Sequence, residues 1–341
     1  MNPENKILNI IESEGYIHLD DFMKTSLSEL KTSYYRFNKP LGKSGDFITA
    51  PEISQLYGEI IGLYIADYIQ KMSYKDFNLI ELGPGKGTLM SDITRILSKI
   101  FKNIINYKIH FVEINYEYKK NLNSLFDECF IHENVDNLPG GNSIIIANEY
   151  FDTFPIIQAI KVNDKLFETI IRSESGKLIF DQKEIREEFS FLFNNTDLIE
   201  NEVIEKSPAA NLIFEESVKH IKKNNGMMIV ADYGYNHNTE GNTLQSIKDN
   251  KKTNFFDNIA NQDLTSQVNF QSLMNILDKN EIKDRSFHTQ REFLFLNGIN
   301  LRAEQLIKAN KKKEESILNQ VSRLTDIDKM GNLFKFLIFS I

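Results

Sequence analysis

The sequence predicts an α/β fold with one sheet of about seven strands, an N-terminal helical cap and a β-rich insertion. Three observations support this prediction. An apolar run that ends near Glu81 opens into a glycine-rich turn, a second apolar run ends at Glu113, and a segment of helical period lies between them. A strand, a glycine turn, a helix and a second strand with a terminal acid are the parts of a Rossmann-like βαβ unit.

Residues 1–75 are predicted to form the cap and a loop that reaches the substrate or the cofactor. Apolar residues recur at helical spacing in two sets, which are Ile7, Ile10 and Ile11, then Phe22, Met23 and Leu27. After the loop around Asp46 we expect a long helix, with Thr49 and Glu52 as a capping box and Pro51 in the first turn. Two glycines in this helix would allow close packing against a neighbour, Gly58 and Gly62.

Residues 76–341 are predicted to form the Rossmann-like domain, with the insertion at about residues 155–205. A helix over Ser91–Phe101 follows the first strand, and Ser143–Ala147 lacks alternation, as a parallel strand covered on both faces should. The insertion is expected to contain strands at 156–162, 165–171 and 178–180. The remaining elements are a helix at 209–224, a strand at 227–234, a helix at 270–278, a strand at 282–288, helices within 301–324 and a last strand at 333–340. The polar segment 236–261 is expected to be a mobile surface loop.

Composition narrows the class of protein. The chain has 341 residues, of which 41% are hydrophobic, so it can bury a sizeable core. Its formal net charge of −8 argues against nucleic acid as the main partner. Cys129 is the single cysteine and cannot build a thiolate zinc site alone, so no metal site is predicted. Because the sequence shows neither a membrane span nor a secretory or organelle signal, we expect no stable membrane insertion and a cytoplasmic location.

The glycine turn narrows the choice of cofactor. A phosphate-binding P-loop would need a serine or threonine after Lys86, where the chain has Gly87, and a glycine where it has Ile80. A dinucleotide fingerprint would need a third glycine where the chain has Thr88. The acid Glu81 is unfavourable beside a pyrophosphate, but it attracts a sulfonium and an ammonium group. S-adenosylmethionine therefore fits best, and its predicted ligands are Glu81, Gly83, Pro84, Gly85, Gly87 and Glu113, the last of these through the ribose hydroxyls.

Polar residues follow the predicted strand Ser143–Ala147 directly. They are Asn148, Glu149 and Asp152. In doubly wound sheets the ligand lies outside the carboxyl ends of the strands, so these side chains should face the reactive end of the cofactor. We predict that all three are catalytic.

Four blocks of the sequence together resemble the MidA-like methyltransferases. They are residues 45–54, residues 81–87, residues 148–152 with Pro155, and residues 232–234. The resemblance runs from about Tyr34 to Phe339 and implies a class I S-adenosylmethionine-dependent fold. Mitochondrial members of this family are similar to protein arginine methyltransferases that assist the assembly of respiratory complex I. The resemblance therefore implies a protein substrate, such as a respiratory complex I subunit. It also implies roles for Asp46 and Thr49 beside the cofactor.

The chain departs from the family pattern on the substrate side and keeps the cofactor blocks. The altered positions are Asn250, Gln267, Asn269 and Arg291. Two other classes use the same features: a NAD-dependent oxidoreductase, and an assembly factor without catalytic activity that binds S-adenosylmethionine. The sequence leaves open whether the chain forms a homodimer.

Overall fold

The computed structural model describes residues 2–42, 45–102, 104–193, 199–237 and 241–341. Parts of three predicted features lie outside the described residues. They are residues 43–44 of the loop before Asp46, residues 194–198 of the insertion and residues 238–240 of the polar segment.

The N-terminal region is mostly helical, as predicted, but it also contains a strand. Its elements are α1 (Pro3–Glu14), β1 (Tyr16–His18), α2 (Leu19–Lys24), a π-helical turn (Thr25–Glu29), α3 (Tyr34–Phe37), α4 (Ala50–Ile53) and α5 (Gln55–Met72). Helix α1 begins where the side chain of Asn2 accepts a hydrogen bond from the Asn5 amide and ends at Gly15, whose φ is +85°. The buried faces of α1 and α2 are those that the apolar spacing predicts.

The predicted capping box is wrong. The side chain of Thr49 makes no capping hydrogen bond, and Glu52 instead accepts a hydrogen bond of 2.5 Å from Thr88 Oγ1. The predicted long helix is divided at Ser54, whose extended backbone ends α4 and whose hydroxyl caps α5. The prediction for the two glycines of α5 is confirmed. A Cβ at Gly58 would lie 2.6 Å from Asp92 Cβ, so only glycine permits this contact.

The core begins with two βα units and two further strands. Its elements are β2 (Asp76–Leu82), α6 (Thr88–Phe101), β3 (Asn106–Val112), α7 (Tyr116–Leu125), β4 (Cys129–His132) and β5 (Ser143–Asn148). The insertion and the helix after it are β6 (Ile157–Val162), β7 (Lys165–Glu174), β8 (Lys177–Glu184), α8 (Glu187–Ser190), β9 (Val203–Lys206) and α9 (Pro208–Asn224).

The C-terminal half has a series of strands, then helices and the last two strands of the main sheet. It contains β10 (Gly226–Tyr235), β11 (Gln245–Lys248), β12 (Lys251–Lys252), β13 (Asp263–Thr265), β14 (Val268–Asn269), α10 (Phe270–Lys279), β15 (Arg285–Thr289), α11 (Gln290–Leu296), α12 (Ile299–Ala309), α13 (Glu314–Thr325) and β16 (Phe334–Ser340). No helix among the described residues has both the length and the apolar composition of a membrane span.

The main sheet confirms the predicted seven strands. Their order is β15-β16-β10-β5-β2-β3-β4, and the short β14 adds a further pairing to β10. Strands β10, β5, β2, β3 and β4 are parallel, whereas β16 runs antiparallel to both of its neighbours. Helices α5, α6 and α11–α13 cover one face of the sheet, and α9 and α10 cover the other. The carboxyl ends of β2, β3 and β5 therefore meet at one edge.

The insertion forms a second sheet, in the order β1-β7-β6-β9 with β8 against β7. Strand β1 of the N-terminal region pairs with β7, so the two segments share one core. The side chain of Glu168 is buried and accepts hydrogen bonds from Arg186, whose guanidinium also contacts Asp20 of α2. This arrangement ties the cap to the insertion. The division into residues 1–75 and 76–341 stays a prediction.

The polar segment after β10 is not simply a surface loop. Strands β11 and β12 form a hairpin, and β11 also pairs with β13 to make a three-stranded sheet. The backbone amides of Asp249 and Asn250 donate to Asp46, to its side chain at 3.0 Å and to its backbone carbonyl at 2.7 Å. These contacts explain why the prediction failed, because they join residues that are about 200 positions apart in the chain.

Candidate active site

A cavity of about 330 Å³ lies at the carboxyl ends of β2, β3 and β5. The N-terminal region covers it with α3 and with the segment that leads into α4. Most of the predicted site residues line this cavity, namely Thr49, Glu81, Gly83, Pro84, Gly85, Glu113, Asn148, Glu149 and Asp152. Two do not, Asp46 and Gly87.

The three glycines of the turn all have positive φ, between +53° and +78°. A Cβ at Gly83 would lie 2.7 Å from the ring of Tyr150, and one at Gly85 would lie 2.1 Å from Leu41 Cδ1. Both neighbours line the cavity. The ring of Tyr150 restricts Gly83 sterically, whereas the end of the Leu41 side chain could move, so at Gly85 the positive φ is the main reason for glycine. Gly87 serves a different purpose. It precedes α6, and a Cβ there would lie 2.8 Å from Leu122, so this glycine permits helix packing.

Glu81 lies beside the glycine turn, and one oxygen of its buried carboxyl group has no hydrogen bond. It is 3% exposed, and its Oε2 atom has no hydrogen-bond partner. Burial raises the pKa of this carboxyl well above its usual range, and the nearby Glu113 adds to the effect. A buried carboxylate oxygen without a partner is costly, so a cationic ligand that reached it would relieve the cost.

Glu113 lies immediately after β3, the strand that pairs with the strand of Glu81. Its Oε1 accepts hydrogen bonds of 2.8 Å from the amides of Ile114 and Asn115, and its Oε2 accepts one of 3.3 Å from Gly85. Burial raises the pKa of Glu113 to about 7, against the opposite effect of these amides. The contact with Gly85 joins the second acid directly to the glycine turn.

Glu149 leaves β5 in an unusual backbone conformation, with φ of +49°. Its own amide donates to the carbonyl of Ala231 at 2.8 Å, which holds the residue in place. The Oε1 atom accepts hydrogen bonds from the Ala50 amide at 2.8 Å and from Asn148 Nδ2 at 3.4 Å. Asn148 is oriented in turn by Tyr57, whose hydroxyl donates to Oδ1 at 2.6 Å. Burial raises the pKa of Glu149 to about 7.

Asp152 is positioned by an acid that was not among the predicted site residues. Asp232 is fully buried, and its Oδ2 accepts hydrogen bonds from the amides of Tyr150, Phe151 and Asp152 at 2.9–3.3 Å. The Oδ1 atom of Asp152 is buried without a hydrogen-bond partner. Burial and the neighbouring Asp232 raise the pKa of Asp152 well above its usual range. A signal for Asp232 was present in the sequence, because it too is an acid near the end of a buried strand.

The N-terminal region contributes further residues that sequence reasoning missed. Tyr35 lines the cavity, and its hydroxyl donates to the buried carboxylate of Asp263. Asp46 lies outside the cavity lining, where it accepts a hydrogen bond of 2.5 Å from the hydroxyl of Tyr34. Asp46 therefore connects the cap to the β11–β12 hairpin.

Acids outnumber bases around this cavity. Among the described residues that line it, the basic side chains are Arg36 and Lys86. Arg36 donates to the carbonyl of Ser28, and Lys86 pairs with Glu52 at 3.3 Å. Within the described part of the chain, neither basic side chain forms an ion pair with Glu81, Glu149 or Asp152. The cavity thus favours a ligand that carries positive charge.

Fold and site together define an S-adenosylmethionine-dependent methyltransferase. The strand order with one antiparallel strand, the glycine turn after the first core strand and a buried acid with a free oxygen all fit a cofactor that carries a sulfonium and an ammonium group. The chain belongs to the Methyltransf_28 family of S-adenosyl-L-methionine-dependent methyltransferases, whose model matches residues 60–287.

Curated relatives cover almost the whole chain. Protein arginine methyltransferase NDUFAF7, mitochondrial, from Xenopus tropicalis is 27% identical in an alignment of 372 positions, which covers 97% of this chain and 84% of that protein. The protein of the same name from Homo sapiens is 28% identical in an alignment of 361 positions, which covers 96% of this chain and 80% of that protein. A crystal structure from Burkholderia thailandensis with bound S-adenosyl-homocysteine shares the fold, with a TM-score of 0.84, 21% identity and coverage of 99% and 91%.

These relatives contradict the expected cytoplasmic location. The proteins that align with 96% and 97% of this chain are named as mitochondrial. The expectation rested on the lack of a recognisable signal in the residues at hand, and that observation does not outweigh the names of relatives aligned over most of the chain.

Proposed function

We propose that this protein transfers methyl groups from S-adenosylmethionine to arginine side chains of a protein substrate, such as a respiratory complex I subunit. The observation that carries the proposal is the pair of carboxylates of Glu149 and Asp152, which line the cavity beyond the glycine turn. The name of the relatives, protein arginine methyltransferase, supports the choice of acceptor. The resemblance to MidA-like proteins supports the choice of substrate protein.

The residues at hand suit the cofactor. Glu81 and the glycine turn would hold its charged end, and Glu113 its ribose. Gly87 and Asp46 would contribute to cofactor binding indirectly. Gly87 allows α6 to begin beside the turn, and Asp46 holds the loop that precedes Thr49. When bound, S-adenosylmethionine supplies an electrophilic methyl group on a positively charged sulfur. All other steps depend on how the chain positions the acceptor.

An arginine acceptor raises an electrostatic problem that the carboxylates solve. The guanidinium is always charged near neutral pH and must approach a second cation, the sulfonium. Glu149 uses its Oε1 for the amides of Ala50 and Asn148, which leaves Oε2 for the ligand. Asp152 Oδ1 has no protein partner. Together they would form charge-assisted hydrogen bonds to the guanidinium and offset the repulsion.

Glu149 also accounts for the proton that the reaction releases. The attacking nitrogen forms a bond to carbon and loses one proton, so the methylated product keeps a single positive charge. Because burial raises the pKa of Glu149 to about 7, its carboxylate can take this proton and return it to solvent near neutral pH. Asn148 contributes by holding Glu149 rather than by exchanging protons.

Labelled methyl transfer tests the proposal. The full-length chain is incubated with isotopically labelled S-adenosylmethionine and a host lysate, and labelled proteins are digested and mapped. We expect label on arginine side chains. Label on another residue type or on small molecules would instead identify a different acceptor. Binding of S-adenosylhomocysteine by calorimetry without any label transfer would favour the non-catalytic assembly factor.

A further inference from the structure

One buried acid beside the cavity has no part in the proposed reaction. Asp263, the first residue of β13, is 3% exposed and accepts the hydroxyl proton of Tyr35 in a hydrogen bond. Tyr35 belongs to α3 and lines the cavity together with Asp152. The pair thus joins two segments that are 228 positions apart in the chain.

Both members of the pair are held by further contacts. The side chain of Asn115, at the start of α7, donates hydrogen bonds of 2.8 Å to the backbone carbonyls of Tyr35 and Asn38. On the other side, the amide of Ser266 donates to the carbonyl of Asp152 at 3.1 Å. Strand β13 and the loop of Asp152 are therefore connected directly. The Tyr35 hydroxyl keeps a defined position relative to the acceptor carboxylates.

The orientation of this hydroxyl decides what it can bind. A tyrosine hydroxyl has one proton to donate and can also accept hydrogen bonds. Because the Tyr35 proton is directed to Asp263, the oxygen can act towards the cavity only as an acceptor. A guanidinium has five N–H donors and no acceptor, so two carboxylates can leave some of its donors without partners. Tyr35 offers a neutral acceptor for one of them without adding more negative charge.

We propose that Tyr35 contacts the arginine acceptor through its hydroxyl oxygen, and that Asp263 is the positioning residue that orients this hydroxyl. The inference rests on the proposed arginine methylation and adds a contact from the cap to it. It also makes the acceptor site a composite one. The core supplies the carboxylates, α3 supplies the neutral acceptor, and β13 fixes its orientation.

A binding experiment on the full-length protein tests this inference. Calorimetry measures the affinity for S-adenosylhomocysteine, and then, at saturation with it, the affinity for N-acetyl-arginine-amide. The neutral analogue N-acetyl-citrulline-amide serves as the ligand control. In Tyr35→Phe we expect the affinity for the arginine probe to fall about tenfold, because one hydrogen bond to a charged donor is lost. Affinity for S-adenosylhomocysteine should not change.

Tyr34→Phe is the matched control variant. It removes a hydroxyl of the neighbouring residue that also donates to a carboxylate, that of Asp46, but does not line the cavity. A loosened α3 would weaken probe binding in both variants and would overturn the contact role. Asp263→Asn should weaken binding of the arginine probe while the affinity for S-adenosylhomocysteine stays constant, since an amide orients the hydroxyl less strongly than a carboxylate does.

The outcomes separate this inference from the proposed function. If wild-type protein binds the arginine probe and Tyr35→Phe binds it equally well, the contact is refuted and arginine methylation stands. If the wild-type protein does not bind the arginine probe and labels no arginine side chain in the lysate experiment, the proposed function fails and this inference fails with it. If Asp263→Asn lost affinity equally for S-adenosylhomocysteine and for the arginine probe, Asp263 would have only a structural role.

Discussion

Replacing Glu149 by glutamine should remove catalysis and preserve the fold. Glutamine is isosteric with glutamate, and its Oε1 can still accept the hydrogen bonds from the amide of Ala50 at 2.8 Å and from Asn148 at 3.4 Å. The side-chain amide nitrogen would then take the place of Oε2, the oxygen proposed to bind the acceptor. It would present N–H donors to a guanidinium that has only donors, so attraction becomes repulsion at the position that matters for the reaction.

The expected loss can be estimated from the single charged contact that disappears. A hydrogen bond to a charged group contributes up to about 3 kcal/mol, which corresponds to a decrease of about 100-fold in kcat. The proton acceptor is lost as well, which should lower kcat further. Affinity for S-adenosylhomocysteine should stay within about twofold of the wild type, because Glu81 and Glu113 are unchanged.

The assay combines single-turnover transfer of labelled methyl groups with calorimetry on the same preparations. Thermal denaturation checks that the variant is folded. The matched control is Glu52→Gln, which alters another cavity-lining glutamate, one that is already paired with Lys86 and Thr88. A Glu149→Gln enzyme that kept most of its activity would refute both the acceptor role and the proton-acceptor role of this residue.

Three further predictions concern the glycine turn, pH and the cap. Gly83→Ala should abolish most S-adenosylhomocysteine binding, because its Cβ would lie 2.7 Å from the ring of Tyr150. Gly176→Ala incurs a similar backbone cost of about 1 kcal/mol at positive φ but has open space around it, so calorimetry should show normal binding. Thermal stability of the ligand-free protein should fall as pH rises from about 5 to about 8, because burial raises three carboxyl pKa values to about 7, those of Glu113, Glu149 and Asp263. Arg186→Met should lower the free energy of unfolding by about 2 kcal/mol in denaturant titrations, since it removes charged hydrogen bonds to buried Glu168.

Each of these has a result that counts against it. Equal cofactor affinity in the two alanine variants would mean that Tyr150 does not limit the turn. The sign of the pH effect follows from protons that the folded chain retains and the unfolded chain releases, so a melting temperature that rose over this range would contradict the assigned pKa directions. Unchanged unfolding of Arg186→Met would show that His18, which lies 3.3 Å from Glu168, is a sufficient partner.

Much of the fold could be predicted from local patterns. The strands β2, β3, β5, β10 and β16 were found from apolar runs, and the glycine turn was found from three residues whose backbone angles need glycine. Strand β4 and helix α7 were missed. Residues of β4 are only partly buried at the edge of the sheet, so the strand lacks a strong apolar run. Helix α7 buries only Tyr118 and Leu122, which gives too weak a period to recognise.

The site was predicted in part, for a related reason. Acids at strand ends can be read from sequence, because parallel strands place their carboxyl ends at one edge, and Glu81, Glu113 and Glu149 were found in this way. Tyr35 gave no such signal. It lies in a four-residue helix, and its importance comes from Asp263 and from the cavity rather than from its neighbours in the chain.

Local sequence patterns specify most of the core strands and helices, the glycine turn and the positions of the acids, since these depend on side-chain period and backbone freedom within a few residues. Which distant segments meet becomes known only from the three-dimensional fold. It paired β1 with β7, directed Asp232 to the amides of residues 150–152, and brought the cap over the cavity. Period and charge show that a side chain is buried or polar, but not which partner, tens or hundreds of residues away, will satisfy it.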